Sequence, residues 1–437
     1  MVQILIMTAL VIASTRGALV YHFGASPDLS YQLSSVALAL LGLFATLRML
    51  TLRVHPELGV VKKVFQLNIM LIGAYWSIFM VFSFIKYVNI LFYFILFPVV
   101  FILIGWSKKK LETILHVIFA VTAGGIIMIQ VIGLNDFQEF YRIQAVLRPD
   151  SVGIPNFGGI AQINGYQASN HDASNILVMI CMYYFVQLYI SGFRINLWLF
   201  SGLLTGIFAL LLAASASNIT VFIGGLLFFV LFAGRGIVRK LVFVWMACLL
   251  GWILVVVEKQ YFDLFHFLDK FQVQILLSEH GMLQGLNLGS LYGSLVSILI
   301  GFGYQLEVPM VDVEVAYVKI LVAFGVIPTL VLLYVLFLPL ILLRNATKVT
   351  KRLGLLVSDG DQSISTNRVY RDRLCLIGFA APVIVGSLTL LHYGSLFKVT
   401  SIGLFCVLLS IFLKEYLSFM IKYASMAPKA REKAAGK

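Results

Sequence analysis

Residues 195–233 read INLWLFSGLLTGIFALLLAASASNITVFIGGLLFFVLFA, and no Asp, Glu, Lys or Arg interrupts them. Two apolar blocks, 195–213 and 217–233, flank a few small polar residues. Each approaches the roughly 20 residues a helix needs to cross about 30 Å of hydrocarbon, and neither shows the alternation of an outer-membrane barrel strand. Similar blocks lie to either side: 2–21, 30–50, 64–85, 88–106, 111–133 and 172–191 before, then 239–257, 314–343, 374–393 and 399–420 after. The reading is all-α: a polytopic integral membrane protein of about 12 transmembrane helices with two large periplasmic loops. Composition agrees, since the 437 residues are 61% hydrophobic and only 12% charged. A mean hydropathy of +0.98 excludes a string of soluble domains.

The formal charge of +13, from 32 Lys+Arg against 19 Asp+Glu, would suggest nucleic-acid binding in a soluble protein. Its placement says otherwise. Threading the chain through the twelve blocks puts 24 basic residues on one side, in 48–63, 108–110, 235–240, 344–373, at Arg194 and after 413. Six fall on the other: Lys86, Arg142, Arg148, Lys259, Lys270 and Lys398. That bias is the positive-inside pattern of a membrane protein with both termini cytoplasmic, and no nucleic-acid partner is expected. The basic tail, 421–437, meets anionic lipid headgroups on this reading. Residues 1–23 lack a basic leader and a small-residue cleavage site, so the first block reads as a retained span. The four cysteines sit inside apolar blocks without metal-ligand spacing, which predicts neither a disulfide framework nor a zinc site. The segment 344–373 reads as a solvated cytoplasmic linker without chemistry. The outward segments 134–171 and 258–313 run to 38 and 56 residues, far more than a turn between helices needs, and extra outward mass marks a site.

In the first of these loops, Arg142 and Arg148 are two of the few outward cations, and a guanidinium fork suits a phosphate. Contact with outer-leaflet headgroups is the competing reading. Ten residues separate Arg142 from Gly153 and Arg148 from Gly159, and ten separate Lys270 from Gly281 in the second loop. NHDASNIL opens the sixth block at 170–177 and LLAASASNI spans 211–219. SILIGFGYQ at 297–305 precedes DVEVAYVKILVAFGVIP at 312–328.

Together these features resemble the bacterial O-antigen polymerases and, next to them, the O-antigen ligases, over about residues 134–343. The resemblance rests on the outward loops after the fifth and ninth spans and the Arg-ten-Gly spacing. It rests also on the Asn-bearing start of the sixth span, the Gly-x-Gly turn, and an aromatic-rich span ending in glycine. Asp312 and Glu314 stand where the ligases carry a histidine, which points to the polymerase branch. Lys270 stands where the polymerase pattern has Arg, and Asn218 where it often has the Arg of a Ser-Arg pair. The resemblance implies a glycosyltransferase joining undecaprenyl-pyrophosphate-linked oligosaccharide units at the periplasmic face, in lipopolysaccharide or related polysaccharide biosynthesis. A chain-length regulator and a flippase are the implied protein partners.

The residues suit that chemistry. Cleaving a sugar–phosphate bond leaves charge on the pyrophosphate, which Arg142 and Arg148 would stabilise. The attacking hydroxyl must lose a proton, and a partly desolvated carboxylate at the membrane boundary can take it. Asp312 is favoured as the base, Glu314 is next and Asp172 third. Lys319, seven residues after Asp312 and inside a span, either pairs with it or joins the cations, because an unpaired ammonium there costs about 2.5–3.5 kcal/mol. Arg16 either snorkels outward or lines the same cavity. His171, His280 and Tyr304 complete the expected substrate-binding set with Asp172 and Lys270. His116 reads as a packing residue. The sequence shows no metal-ligand set, so the expected reaction is metal-independent and uses no cofactor. Two other functions fit the sequence less well: a ligase moving finished glycan to a lipid A–core acceptor, and a secondary transporter, which would need charged or broken helices near the bilayer midplane.

Overall fold

The computed structural model describes residues 27–80, 97–132, 156–157, 160–161, 165–167, 170–191, 196–213, 215–233, 245, 317, 321, 325–357, 366–391 and 399–423. The expected span 2–21, all of 239–257 but residue 245, the whole of 258–313 and most of 134–171 lie outside them.

The described architecture is all-α apart from one strand pair of two residues each. In chain order the helices are α1 (Pro27–Thr51), α2 (Gly59–Met80), the short α3 (Val100–Leu103), α4 (Lys108–Ile132) and α5 (Asn170–Ile190). Then come α6 (Leu197–Leu212), α7 (Ala216–Ala233), α8 (Val326–Leu336), α9 (Leu338–Val357), α10 (Thr366–Leu388) and α11 (Val399–Tyr423). Between α4 and α5, β1 (Asn156–Phe157) pairs antiparallel with β2 (Ile160–Ala161), with Phe157 opposite Ile160. The intervening Gly158-Gly159 is a sequence that two-residue hairpins favour. Lys108–Ile129, His171–Ile190 and Ser401–Tyr423 are long and apolar enough to cross a membrane, and α8 with α9 adds a fourth if the bent pair is one span. The chain is a membrane protein.

Local sequence explains where these helices start. The Ser107 hydroxyl accepts from the Lys110 amide at 3.4 Å, and the Asn196 side chain accepts from the amides of Trp198 and Leu199. Each thereby satisfies backbone donors that the first turn of α4 or α6 leaves over.

At the centre stands α5, apolar on every side and buried along most of its length, with α4, α6, α7, α10 and α11 packed around it. Apolar helices gain little in lipid by merely being apolar, so close packing of backbones must hold them together. Small residues supply it. A side chain on Gly378 would lie 2.5 Å from Val186 Cγ1, and one on Gly386 would lie 2.6 Å from Met179 Sδ. Gly206 likewise leaves no room for a side chain beside Cys181.

These contacts fix the helix directions. Position 378 faces 186 and 386 faces 179, so α10 runs antiparallel to α5; 206 faces 181 and 202 faces 184, so α6 does too. Asn218 reaches His171 while Gly225 lies beside Met182, so α7 runs alongside α5. Lys108 at the start of α4 pairs with Glu415 near the end of α11, and Asp372 near the start of α10 binds Lys422. One end of the bundle thus gathers the helix termini rich in Lys and Arg. The other gathers the starts of α5 and α7.

Two expectations from sequence need correction. The block 314–343 does not form one continuous helix. Gly325 takes φ +79°, ψ −178°, and its amide closes the preceding turn on the Leu321 carbonyl at 2.8 Å. That φ belongs to glycine, so the helix stops there and α8 starts afresh. A second break falls at Phe337, where α8 and α9 bend by 56°. Pro339 offers no amide and its ring crowds the Val335 carbonyl, so the residues before it leave the helical path. The Leu340 amide turns to the Phe337 carbonyl at 3.0 Å, and the Leu336 carbonyl it leaves accepts from Ser387 Oγ of α10 at 2.8 Å.

The second correction concerns 344–373, read as a solvated linker. Helix α9 extends to Val357 and α10 starts at Thr366. Leu342, Ala346, Val349 and Leu353 form a buried stripe at helical spacing, while Arg344, Lys348 and Lys351 stay exposed. The charges counted with that linker are the outer face of an amphipathic helix. Residues 358–365, whose polar run carried the linker reading, lie outside the described residues.

Candidate functional site

The starts of α5 and α7 meet in a polar cluster, here called the mouth. Asp172 is 3% exposed, Ser174 and Asn175 are completely buried, and Ser215 and Asn218 are nearly so. The His171 Nδ1 lies 3.1 Å from Ser215 Oγ, which lies 3.5 Å from Ser217 Oγ. Asn218 Nδ2 donates to the His171 carbonyl at 3.1 Å. These bonds stitch the two helix starts side by side. Both helices point their positive dipole ends into the mouth, an environment that favours a carboxylate such as Asp172 in the first turn.

A turn over residues 165–167 comes just before this point in the chain. Gly165 takes φ +58°, within 3.0 Å of Ile126 for any added Cβ, and the Tyr166 ring lies over Gly125 of α4. A side chain at either glycine would push the turn off α4, so the path into α5 depends on both.

Asn175 differs from its neighbours. Neither its Nδ2 nor its Oδ1 has a hydrogen-bond partner, although both are shut off from solvent. Buried amide groups are normally paired, because each orphan atom carries its full desolvation cost.

The basic end is organised otherwise. Glu112 accepts from Tyr183 Oη at 2.7 Å, and His116 Nδ1 meets Tyr184 Oη at 2.8 Å. Lys108 pairs with Glu415 at 3.2 Å and lies 4.2 Å over the Phe379 ring. Lys414 donates to the carbonyls of Ile104 and Trp106, which follow the last turn of α3. Asp372 is held by Lys422 and, at 2.8 Å, by Tyr423 Oη. Burial alone would push the Asp372 carboxyl up; hydrogen bonds from Lys422 and Tyr423 and the charges of Lys422 and Arg368 outweigh it and hold it below its ordinary value. This constellation neutralises charge and ties helix ends together.

Of the site residues expected from sequence, His171 and Asp172 stand together at the mouth. Arg142, Arg148, Asp312, Glu314, Lys270, His280, Tyr304, Lys319 and Arg16 lie outside the described residues. His116, expected to pack, does so against Tyr184. Sequence reasoning missed Ser174, Asn175 and Ser215. For Ser174 and Asn175 the signal was helical spacing from His171 and Asp172, while Ser215 comes from another segment and carried none; nothing in a sequence says that an asparagine will be buried without a partner. Among the described residues no three His, Cys, Asp or Glu side chains gather into a metal-binding group.

Comparison with protein-family models, with curated proteins and with solved structures returned no match, so the chemistry rests on the residues themselves.

Proposed function

We propose that the protein is a membrane glycosyltransferase that polymerises polyprenyl-pyrophosphate-linked oligosaccharide units into O-antigen or a related surface polysaccharide. The observation that carries this reading is the mouth: a buried, mixed polar cluster with one carboxylate, built from two helix starts at the end of the bundle opposite the basic residues. With the basic end cytoplasmic, as positive-inside topology has it, the mouth opens to the periplasm of a bacterial inner membrane. There a lipid-linked glycan presents its sugars and pyrophosphate. Both chain termini are then cytoplasmic, and twelve spans complete the bundle.

In this reading the acceptor hydroxyl oxygen attacks the anomeric carbon of the donor unit. The bond from that carbon to the pyrophosphate oxygen breaks, polyprenyl pyrophosphate leaves, and the hydroxyl proton passes to a carboxylate. Asp312 is the assigned base and Glu314 its alternate, while Arg142 and Arg148 offset the charge growing on the leaving pyrophosphate. Asp172 and His171 bind substrate from the start of α5. Lys270, His280, Tyr304, Lys319 and Arg16 are assigned to the same cavity. No metal or cofactor is assigned a role.

A secondary transporter is the second reading. The 56° break between α8 and α9 favours it, because transporters build their sites at broken helices. A ligase of finished glycan stays within the same chemistry. Deleting the gene and running the surface polysaccharide on a gel separates the three. A band of core bearing a single repeat unit supports the polymerase, loss of all attached glycan means a ligase, and an unchanged ladder rejects glycan transfer altogether.

A further inference from the structure

Asn175 follows His171 by four residues and Asp172 by three, so the three share one side of the first turns of α5. Helical side chains lean toward the N-terminus, which carries the Asn175 carboxamide toward the His171–Asp172 turn and away from the apolar length of the helix. Among the described residues it is the one carboxamide with both its nitrogen and its oxygen buried and unpartnered. Leucine would fill nearly the same shape without desolvating any polar atom. An amide placed there works against stability, and stability surrendered at one position points to a ligand.

The neighbours say which kind. Ser174, Ser215, Asn218, His171 and Asp172 bring hydroxyls, an amide, an imidazole and one carboxylate to these helix starts, and the described residues there include no lysine or arginine. A phosphate calls for cations and bidentate guanidinium forks. Sugar hydroxyls each donate and accept, and they match amides, hydroxyls and a carboxylate, groups that between them also do both.

We infer that Asn175 is a sugar-recognition residue: its carboxamide hydrogen-bonds hydroxyls of the glycan unit held at the mouth beside Asp172, at a subsite separate from the pyrophosphate. This rests on the glycosyltransferase reading and adds to it the residue that senses the sugar. The carboxamide is closed off from solvent, so a glycan reaches it only where the starts of α5 and α7 move apart.

The test uses the full-length protein in detergent and two probes. One is lipid-linked oligosaccharide extracted from a strain of the source bacterium lacking this gene, and the other is polyprenyl pyrophosphate without sugar. Thermal unfolding is followed with and without each probe. Wild type should be stabilised by both, and more by the glycan-bearing lipid. Asn175→Leu should unfold at a higher temperature than wild type when no probe is present. It should keep its response to polyprenyl pyrophosphate and bind the glycan-bearing lipid at least tenfold more weakly, down to the affinity for the sugarless lipid. Asn175→Ala, which adds no packing, should lose the same glycan-dependent increment and decides the matter if the leucine variant does not fold. Retention of the glycan increment by either folded variant overturns the inference while leaving the glycosyltransferase reading intact. An Asn175→Leu variant less stable than wild type also overturns it, since the carboxamide would then be structural. A wild type that responds to neither probe removes the glycosyltransferase reading itself.

Discussion

At the basic end of the bundle three acidic side chains are held by donors on other helices: Glu112 by Tyr183, Glu415 by Lys108, Asp372 by Lys422 and Tyr423. At the mouth, Asn175 is more deeply buried than any of these and has no partner at all. The two ends obey the same electrostatics and resolve it oppositely. Where carboxylates are paired, helix ends are locked and charge is neutralised, and the orphans beside them, Gln187 Nε2 and Arg373 Nε, are donors only. At Asn175 the donor and the acceptor of one amide are both left for something else. Substitutions at the basic end should therefore lower stability and spare activity, and those at Asn175 should lower activity without the loss of a structural contact.

The largest expected effect tests that division on the function side. Asp312→Asn keeps shape and removes basicity, so polymer should fall at least about 100-fold with the protein still inserted at its normal level. A normal ladder from this variant moves the base to Glu314 if Glu314→Gln is silent, and abandons a carboxylate base if both variants are active. The counterpart at the basic end is Glu112→Ala. Tyr183 is 1% exposed, so losing its acceptor leaves a buried hydroxyl unpaired and should cost about 1–3 kcal/mol in detergent unfolding. Polymer per folded molecule should stay at the wild-type value; loss of polymer at unchanged stability would erase the distinction between the two ends.

How much of this could be read from the chain follows the same line. The blocks 111–133, 172–191, 195–213 and 217–233 fall within three residues of α4, α5, α6 and α7, because apolar length is a one-dimensional property. The break at Phe337 was harder to see. Pro339 was legible, but a 30-residue apolar run masked it, and only the Ser387 hydroxyl on a distant helix shows how the freed carbonyl is satisfied. The helical course of α9 was hidden by its own charges, since Arg344, Lys348 and Lys351 were read as a loop when they form one face. Asn175 was least legible. Its spacing from Asp172 was plain, but its isolation depends on everything packed around α5.

A smaller effect is expected at the Lys108–Glu415 pair. Its side chains keep 38% and 32% of their exposure, so solvent screens most of their attraction, and Glu415→Gln should cost only about 0.5 kcal/mol. Raising salt should shrink the difference between wild type and variant. A cost several times larger, or one indifferent to salt, would mean that the pair is more deeply enclosed than its exposure indicates.

Asp372 sharpens the comparison through pH, with the smallest effect. Its carboxyl is held below the ordinary carboxylate value in the folded protein: burial works against this, and Lys422, Tyr423 and Arg368 override it. Unfolding releases it to the ordinary value. Between the two values the unfolded chain binds more protons than the folded one, so stability rises with pH across that window. The contribution is complete above the unfolded carboxylate value, about 3.9, and is lost as pH falls through the lower folded value. Asp372→Asn cannot titrate, so the stability difference between wild type and variant should be constant from pH 7 down to about pH 5 and then shrink toward pH 3. Both side chains of the Asp372–Lys422 pair are about one-third exposed, which keeps the effect modest and salt-sensitive. A difference that grew on acidification would reverse the sign of the linkage, and Asp372 would no longer be a carboxylate that its partners stabilise.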